Sequence, residues 1–455
     1  MIFNRKNQLS ALEKLYNSGD NKAVVFYSDT DSDLHEILKE FLQNKDFFYY
    51  RAVQVSSDEQ INLFKNSINK QLSKSIITEP GYYGALKAMM EAKCEKRVVV
   101  IDEFQHIIKY SNELMVEILK CINNKWGNQP VLFVLTSSNA YFVENQMVEK
   151  LEETAYELSG LIKLPNLTFV DVIRHFEKFS KEELIVAYGI TGGKSKRILA
   201  FDKSISLKNN IIKTILSEDG ELYKKGLNIL PPELREHSVY NTLLMNIACG
   251  HSKLNELHKI TGYSRAKISV YLNNLIDHNL IIKNDSFDTD GRDNTIKGVY
   301  AIKDGLLAFF YRFVFPNISV LSISDKEKYY KKYIEPYLDN FASSAFKNVC
   351  FEYLMLLNKM DRLPIKITST GTWIGKVGNI DILCTDNEGR TLIGLCEFCK
   401  DTITLEDFEW LEFCVSKAKL TGDYYYLFSK KGFDEKLTAY VSTVNNIILI
   451  DLSML

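Results

Sequence analysis

Short runs that are apolar at every position alternate with longer stretches of helical periodicity through the first third of the chain. Ala23-Val24-Val25-Phe26-Tyr27, Phe47 to Val55, Val98-Val99-Val100-Ile101 and Val131 to Leu135 read as strands. Helices are expected at Leu9, Leu12 and Tyr16, from Leu34 to Leu42, around Ile61 to Leu72, from Tyr83 to Ala92 and from Asn112 to Asn123. Strands without polar alternation are those buried on both faces of a parallel sheet, and the helices between them supply the crossovers. The densest run, Arg97-Val98-Val99-Val100-Ile101, is followed at once by Asp102-Glu103. Such a strand delivers its acids to the carboxyl edge of the sheet, where ligands are placed. In ATPase chemistry an Asp there holds magnesium and the adjoining Glu polarises water. Thr136-Ser137-Ser138-Asn139 closes the neighbouring strand and reads either as a phosphate sensor, through Thr136, or as a plain strand-to-helix cap.

The pattern then changes. Asn166 to Ala200 reads as short helices with an apolar stripe at Phe169, Val172, Ile173 and Phe176 and a Gly192-Gly193 turn. Lys194, Lys196 and Arg197 at its edge read either as phosphate-facing or as a solvated helix start. From Ser238 to Tyr300 three helices are followed by two short strands, the pattern of a winged helix. Ser264 caps the third helix, Ile268, Leu272 and Leu275 point inward, and Arg265, Lys267, Asn273 and Asn274 are left for a DNA groove, with Arg292 on the wing. Asp285, Asp288, Asp290 and Asp293 sit among these cations, so a protein-contact role for the same fold stays open. Aromatic residues crowd Phe309 to Phe315 and read as packing between this unit and the next. Phe341 to Leu455 then predicts a helix from Ala345 to Asn358, strands at Lys366–Ser369, Gly378–Thr385, Leu392–Phe398, Tyr424–Phe428 and Ile447–Asp451, and a helix at Phe408–Ala418, a mixed sheet with flanking helices.

Composition adds limits. The chain has 455 residues, 46% hydrophobic and 25% charged, with a net charge of −2, so any nucleic-acid contact must come from a local patch. No apolar run is read as reaching the roughly 20 residues that span a bilayer, and the start lacks a signal-peptide core, so a cytoplasmic protein with no membrane partner is expected. Eight cysteines scattered through apolar segments fit reduced, buried thiols. Cys396 and Cys399 form a CxxC, but i and i+3 of a strand face opposite ways, and no metal site is assigned.

The opening Phe3-Asn4-Arg5, the strand into Asp102-Glu103-Phe104-Gln105, Thr136-Ser137-Ser138, Gly160 with Leu164-Pro165, and Tyr188-Gly189-Ile190-Thr191-Gly192-Gly193 together resemble a family of archaeal and bacterial AAA-type ATPases. The resemblance implies a P-loop-NTPase-like parallel sheet over residues 1–164, a helical lid and connector over 165–235, a winged helix over 236–303, a linker over 304–340, and a mixed α/β restriction-endonuclease-like domain of the PD-(D/E)XK kind over 341–455. It implies ATP and magnesium as cofactors; the residues alone assign none. Gly371 to Lys376, Asn379-Ile380-Asp381-Ile382, Ile393-Gly394, Phe428-Ser429-Lys430 and Gly432-Phe433 carry the C-terminal likeness.

The sequence departs from the family at both sites. The Gly-Lys-Thr that ends the family's phosphate loop falls on Asp33-Leu34-His35, within a turn Ser28 to His35 that holds three aspartates and neither glycine nor lysine. The family's arginine after the glycine falls on Leu161. In the last domain Asp381 is in place, but the family's Gly-Glu-Cys-Lys-Phe falls on Gly394-Leu395-Cys396-Glu397-Phe398, and its helix Phe-Glu falls on Phe346-Lys347, with Glu352 farther along. A shifted register keeps Glu397 and loses the lysine. Asp102, Glu103, Asp381 and Glu397 are therefore read as remnants of catalytic sites, and Lys347 as a structural partner for an acid. The expectation is a non-hydrolysing regulator or scaffold that binds double-stranded DNA, a protein partner or further copies of itself. The alternative is an ATPase or ATP-binding switch with unusual phosphate ligation.

Overall fold

The computed structural model describes residues 3–72, 79–92, 97–123, 130–231, 234–287 and 298–455. The chain separates into two compact units, Met1–Asn166 with Lys194–Lys196, and Leu167–Gly193 with Arg197–Leu455.

The first unit is built on β1 (Lys22–Ser28), β2 (Asp46–Arg51), β3 (Arg97–Asp102), β4 (Val131–Ser137) and β5 (Gly160–Leu164), in the order β2-β3-β4-β1-β5 with every neighbouring pair parallel. All six residues of β3 are buried. Val98 and Val100 pack with Leu34, Ile37, Leu38 and Phe41, while Val99 and Ile101 pack with Phe64, Met115 and Ile118 in a second layer. A strand with core on both faces has no position for a polar side chain until it ends, which accounts for the unbroken run before Asp102. Strand β5 was not legible as a strand: it is an edge strand whose exposure alternates, with Leu161 outward. Helix α1 (Lys6–Tyr16) and helix α2 (Leu34–Leu42) flank the sheet, Leu12 of α1 joining the layer under α2.

In the second unit, helices Phe169–His175 and Lys181–Thr191 each begin with a capping box, on Thr168 and Ser180, and the second stops at Gly192 in the left-handed region (φ 62°). Helices His237–Ala248, Leu254–Thr261 and Arg265–Asp277 are followed by the antiparallel β6 (Ile281–Asn284) and β7 (Val299–Ile302), the expected winged-helix order. Residues 288–297, including Arg292, Asp288, Asp290 and Asp293, lie outside the described residues. The aromatic run is helical: Gly305–Ile323 is by length and composition apolar enough to cross a membrane, which corrects the expectation that no stretch approaches that length. Its Leu306, Leu307, Phe309, Phe310, Phe313 and Val314 are buried in the unit, with Phe309 and Phe313 packed edge-on to Phe341.

Helix Leu338–Lys359 leads into β8 (Ser369–Ile374), β9 (Asn379–Thr385), β10 (Thr391–Glu397), β11 (Tyr424–Ser429) and β12 (Ile447–Asp451), ordered β12-β11-β10-β9-β8. The first two pairings, β8 with β9 and β9 with β10, are antiparallel and the others parallel, a mixed sheet as expected. The first strand starts at Ser369 rather than Lys366 because the Asn358 side chain claims both backbone groups of Ile367 (3.0 and 3.2 Å). Of the seven cysteines described, Cys249 and Cys399 are exposed, so the expectation of uniformly buried thiols holds only for the other five.

Close approach fixes one glycine. A Cβ on Gly305 would fall on the carbonyl oxygen of Gly189 in helix Lys181–Thr191, whereas one on Gly160 meets nothing within 4 Å. Gly305→Ala is expected to lower the unfolding free energy by about 1–3 kcal/mol, and Gly160→Ala to change it by less than about 0.5 kcal/mol, in urea titrations.

Candidate functional site

Asp102 ends β3 with its side chain 1% exposed. Its Oδ1 accepts the Thr136 hydroxyl at 2.5 Å; its Oδ2 lies 2.9 Å from His35 Nε2 and accepts the Tyr49 hydroxyl at 2.6 Å. Arg51 Nε stands 3.6 Å from the same oxygen. Burial alone would push this carboxyl up, but the hydrogen bonds from His35, Thr136 and Tyr49 outweigh it and hold the pKa at about 2. Tyr49 is pushed the other way, above its ordinary value, by burial and then by that same bond. Glu103 adopts the left-handed region (φ 54°), which costs a residue with a Cβ about 1–2 kcal/mol. Its carboxylate is held by the Ser138 hydroxyl (2.7 Å), the Ser138 N–H (3.1 Å) and the Gln105 amide (2.6 Å).

The turn between β1 and α2 is closed in the same way. Asp33, at the family's glycine position, is 6% exposed and takes a two-pronged pair from Arg5, Nε at 3.1 Å and Nη2 at 2.9 Å, with the Ser195 hydroxyl at 3.0 Å. Leu34, at the lysine position, is buried in the layer beneath the sheet. His35, at the threonine position, is the partner of Asp102. A nucleotide phosphate needs free N–H groups and a cation here, and magnesium needs a carboxylate with open lone pairs. Of these, the lysine position is filled by the buried Leu34, the cation beside the turn is Lys194, whose Nζ lies 3.3 Å from the Thr30 hydroxyl, and Asp102 already accepts from Thr136 and Tyr49. Thr136 spends its hydroxyl on Asp102, and Asn139 caps the following helix by accepting from Phe142 N–H (3.0 Å), the plainer of the two readings of that segment.

Tyr49 and Arg51 were not singled out from sequence, and Arg5 and His35 were named only as motif positions, without the partners found here. A signal existed for two of them: β2 pairs with β3 in parallel, Arg51 lies opposite Asp102, and positions 49 and 51 share a face.

In the C-terminal sheet, Asp381 Oδ1 is 2.5 Å from Lys347 Nζ, and Oδ2 accepts the Cys396 N–H at 3.0 Å. Burial works against the Lys347 charge, yet Asp381 outweighs it and the ammonium ends above its ordinary pKa. This is the structural pair expected. Glu397 accepts from the Cys399 and Lys400 N–H groups (2.8 and 3.1 Å) and closes the turn after β10. Glu352 accepts from Phe169 N–H (3.0 Å) and from the Tyr188 hydroxyl. Among the described residues no group of three or more His, Cys, Asp or Glu is placed to hold a metal.

On the winged helix, Ser264 accepts from Lys267 N–H (3.2 Å), and Arg265, Lys267 and Asn273 are exposed. Arg265 reaches Asn255 (2.8 Å), and Lys267 stands 3.6 Å from Glu236. Asn274 departs from the expectation: it is half-buried and donates to the Tyr240 hydroxyl (2.9 Å). Arg197 departs too, being buried against Asp304 at 2.7 Å rather than phosphate-facing.

Two outcomes are expected. Arg5→Ala leaves Asp33 buried without its cation and should cost about 3–5 kcal/mol in chemical denaturation. The depressed Asp102 pKa contributes stability that is present above about pH 4 and lost as pH falls through about 2, worth about 2 kcal/mol. The stability gap between the protein and Asp102→Asn should therefore be constant above pH 4 and begin to close below it.

Residues 2–201 match the model of an ATPase domain predominantly from Archaea, and residues 310–404 match that of a family of archaeal and bacterial proteins of unknown function. An uncharacterized protein of Methanocaldococcus jannaschii is 23% identical over 397 residues, 86% of each chain. Among solved structures, the Walker-type ATPase of Pyrococcus abyssi shares 15% identity at a TM-score of 0.46, covering 68% of this chain and 96% of its own. The Aeropyrum pernix ORC1 protein, solved in complex with DNA, shares 12% at 0.38, covering 70% and 95%. The chain thus has a parallel P-loop-NTPase-like core in a segment similar to an ATPase domain predominantly from Archaea, and a mixed C-terminal sheet in a region that overlaps the match to archaeal and bacterial proteins of unknown function.

Proposed function

We propose that this chain is a DNA-binding regulator that keeps the ATPase fold as a scaffold without hydrolysing nucleotide. The observation that carries the reading is the pair of internal contacts, Arg5 with Asp33 and His35 with Asp102, at the positions where a phosphate loop would meet triphosphate and metal. Displacing a buried, doubly bonded carboxylate partner costs more than an exposed phosphate contact returns. The five segments 1–164, 165–235, 236–303, 304–340 and 341–455 are part of this reading, the third being the DNA-contacting one. Its support is a Ser264-capped helix with Arg265, Lys267 and Asn273 exposed beside a hairpin.

A second reading is an ATP-binding switch with unusual ligation. Arg51 favours it, since its guanidinium is 59% exposed and within 4 Å of both Asp102 and Glu103, a cation at the sheet's carboxyl edge that a phosphate could recruit.

Titration of the full chain with a fluorescent ATP analogue and magnesium separates the two. No binding at micromolar concentrations is expected; micromolar binding that Asp102→Ala abolishes would overturn the first reading. For DNA, duplex titrations at two salt concentrations should give a log–log slope that falls by about 2 in Arg265→Ala/Lys267→Ala, since each phosphate contact contributes about 1. A slope unchanged by the double substitution removes the winged helix from the account.

A further inference from the structure

The second unit contains a cleft of about 850 Å³ that takes in the Lys347–Asp381 pair and to which neither reading assigns a ligand. Its walls come from helix Lys181–Thr191, the hairpin strand β7, the start of helix Gly305–Ile323, helix Leu338–Lys359 and strands β8 and β9. Two of these walls are tied together by backbone. Phe287 N–H donates to the Thr372 carbonyl (3.0 Å), Ile374 N–H donates to the buried Ser286 hydroxyl (3.1 Å), and the Phe287 ring lies against Gly371. The hairpin is thereby fixed to the edge strand of the C-terminal sheet, and the cleft is preformed rather than assembled on binding.

The charge of its lining is one-sided. Lys303, Arg312 and Lys347 face the single carboxylate of Asp381, in a chain whose net charge is −2. Lys347 and Asp381 satisfy each other at 2.5 Å. Arg312 has no such partner. Its guanidinium is half-buried, Nη2 donates to the Asn340 amide oxygen (2.8 Å), its plane lies over Phe313, and among the described residues no carboxylate forms an ion pair with it. Burial is the largest influence on its charge and works against it. A half-buried guanidinium with one neutral acceptor has N–H groups left to offer an anion, and its planar fork matches a phosphate in two-pronged fashion. Around it Ser344, Asn348, Thr370 and Asn379 add exposed neutral hydrogen-bonding groups, and the half-exposed rings of Tyr300 and Phe351 line the same cleft, a combination suited to phosphate and base together.

We infer that this cleft binds a phosphate ester, carried by a free nucleotide or by a single nucleic-acid strand, with the Arg312 guanidinium as its anchor. No bond is made or broken: Asp381 is held by Lys347 and the Cys396 N–H, so the site binds and does not cleave. This site is separate from the surface of helix Arg265–Asp277 and does not depend on duplex binding there.

The test uses the full chain and fluorescence anisotropy of a short fluorescein-labelled oligothymidylate, with dTMP as competitor. Binding is expected to weaken by about tenfold or more in Arg312→Gln, the loss of one charge-assisted contact, and to be unaffected by Arg265→Ala/Lys267→Ala. Ser344→Glu, an exposed lining position that does not bear on folding, should weaken it as well by adding a carboxylate. Competition by dTMP assigns the site to a free nucleotide, and its failure to compete assigns it to a strand. Absence of binding by both probes, or binding that responds to the helix double substitution and not to Arg312→Gln and Ser344→Glu, overturns the inference.

Discussion

A carboxylate at the end of a strand with core on both faces has little water to turn to, so the protein must satisfy it or hold it for a ligand. Asp102 is satisfied by the protein. Thr136 arrives from β4, Tyr49 from β2 and His35 from α2, so three elements of the first unit converge on one side chain. The same solution recurs one turn away, where Arg5 from the N-terminal segment closes on Asp33. These contacts explain how a turn with three aspartates stays folded: one of the three is buried and paired, and the loop gains an internal tie where the family has a phosphate-binding glycine. In a low-dielectric setting such ties are strong once formed and costly to break from one side.

What the sequence made legible follows from range. The parallel sheet was readable because burial on both faces leaves an unbroken apolar run in β1, β3 and β4, a local signal. Caps at Ser264 and the inward residues Ile268, Leu272 and Leu275 were readable because they depend on three- and four-residue spacing. Edge strand β5 was missed because an alternating five-residue segment carries too little periodicity to separate from a loop. The partners of Asp102 lie 34, 53 and 67 residues away, and that of Asp33 lies 28 away, so no local pattern contains them. The departures from the family were visible as missing groups; what replaced those groups became visible only in three dimensions. Asn274 failed for a different reason, since a helix position at the border of the inward stripe can turn either way and Tyr240 decided it.

The C-terminal sheet repeats the logic with a different outcome. Lys347 from helix Leu338–Lys359 stands 2.5 Å from Asp381, so this carboxylate too is satisfied from within the protein, here by a cation. Glu397 and Glu352 are each absorbed by backbone N–H groups of turns and helix starts. At both sites the charges have specific partners at hydrogen-bonding distance. The pairing matters because a buried charge left without a partner would destabilise the fold.

Arg312 stands out against this background. In a protein that pairs Asp33, Asp102, Asp381 and Arg197 internally, a half-buried guanidinium with only an amide for company is the exception. Stability gives it no reason to be there, since a neutral residue of similar shape would avoid the desolvation cost. Two of the walls of the cleft around it are tied to each other, by the Phe287 N–H to the Thr372 carbonyl and by the Ile374 N–H to the Ser286 hydroxyl. A guanidinium at a cleft with one neutral acceptor keeps N–H groups for a visiting anion, and a planar fork beside exposed hydroxyls and rings suits a phosphate ester.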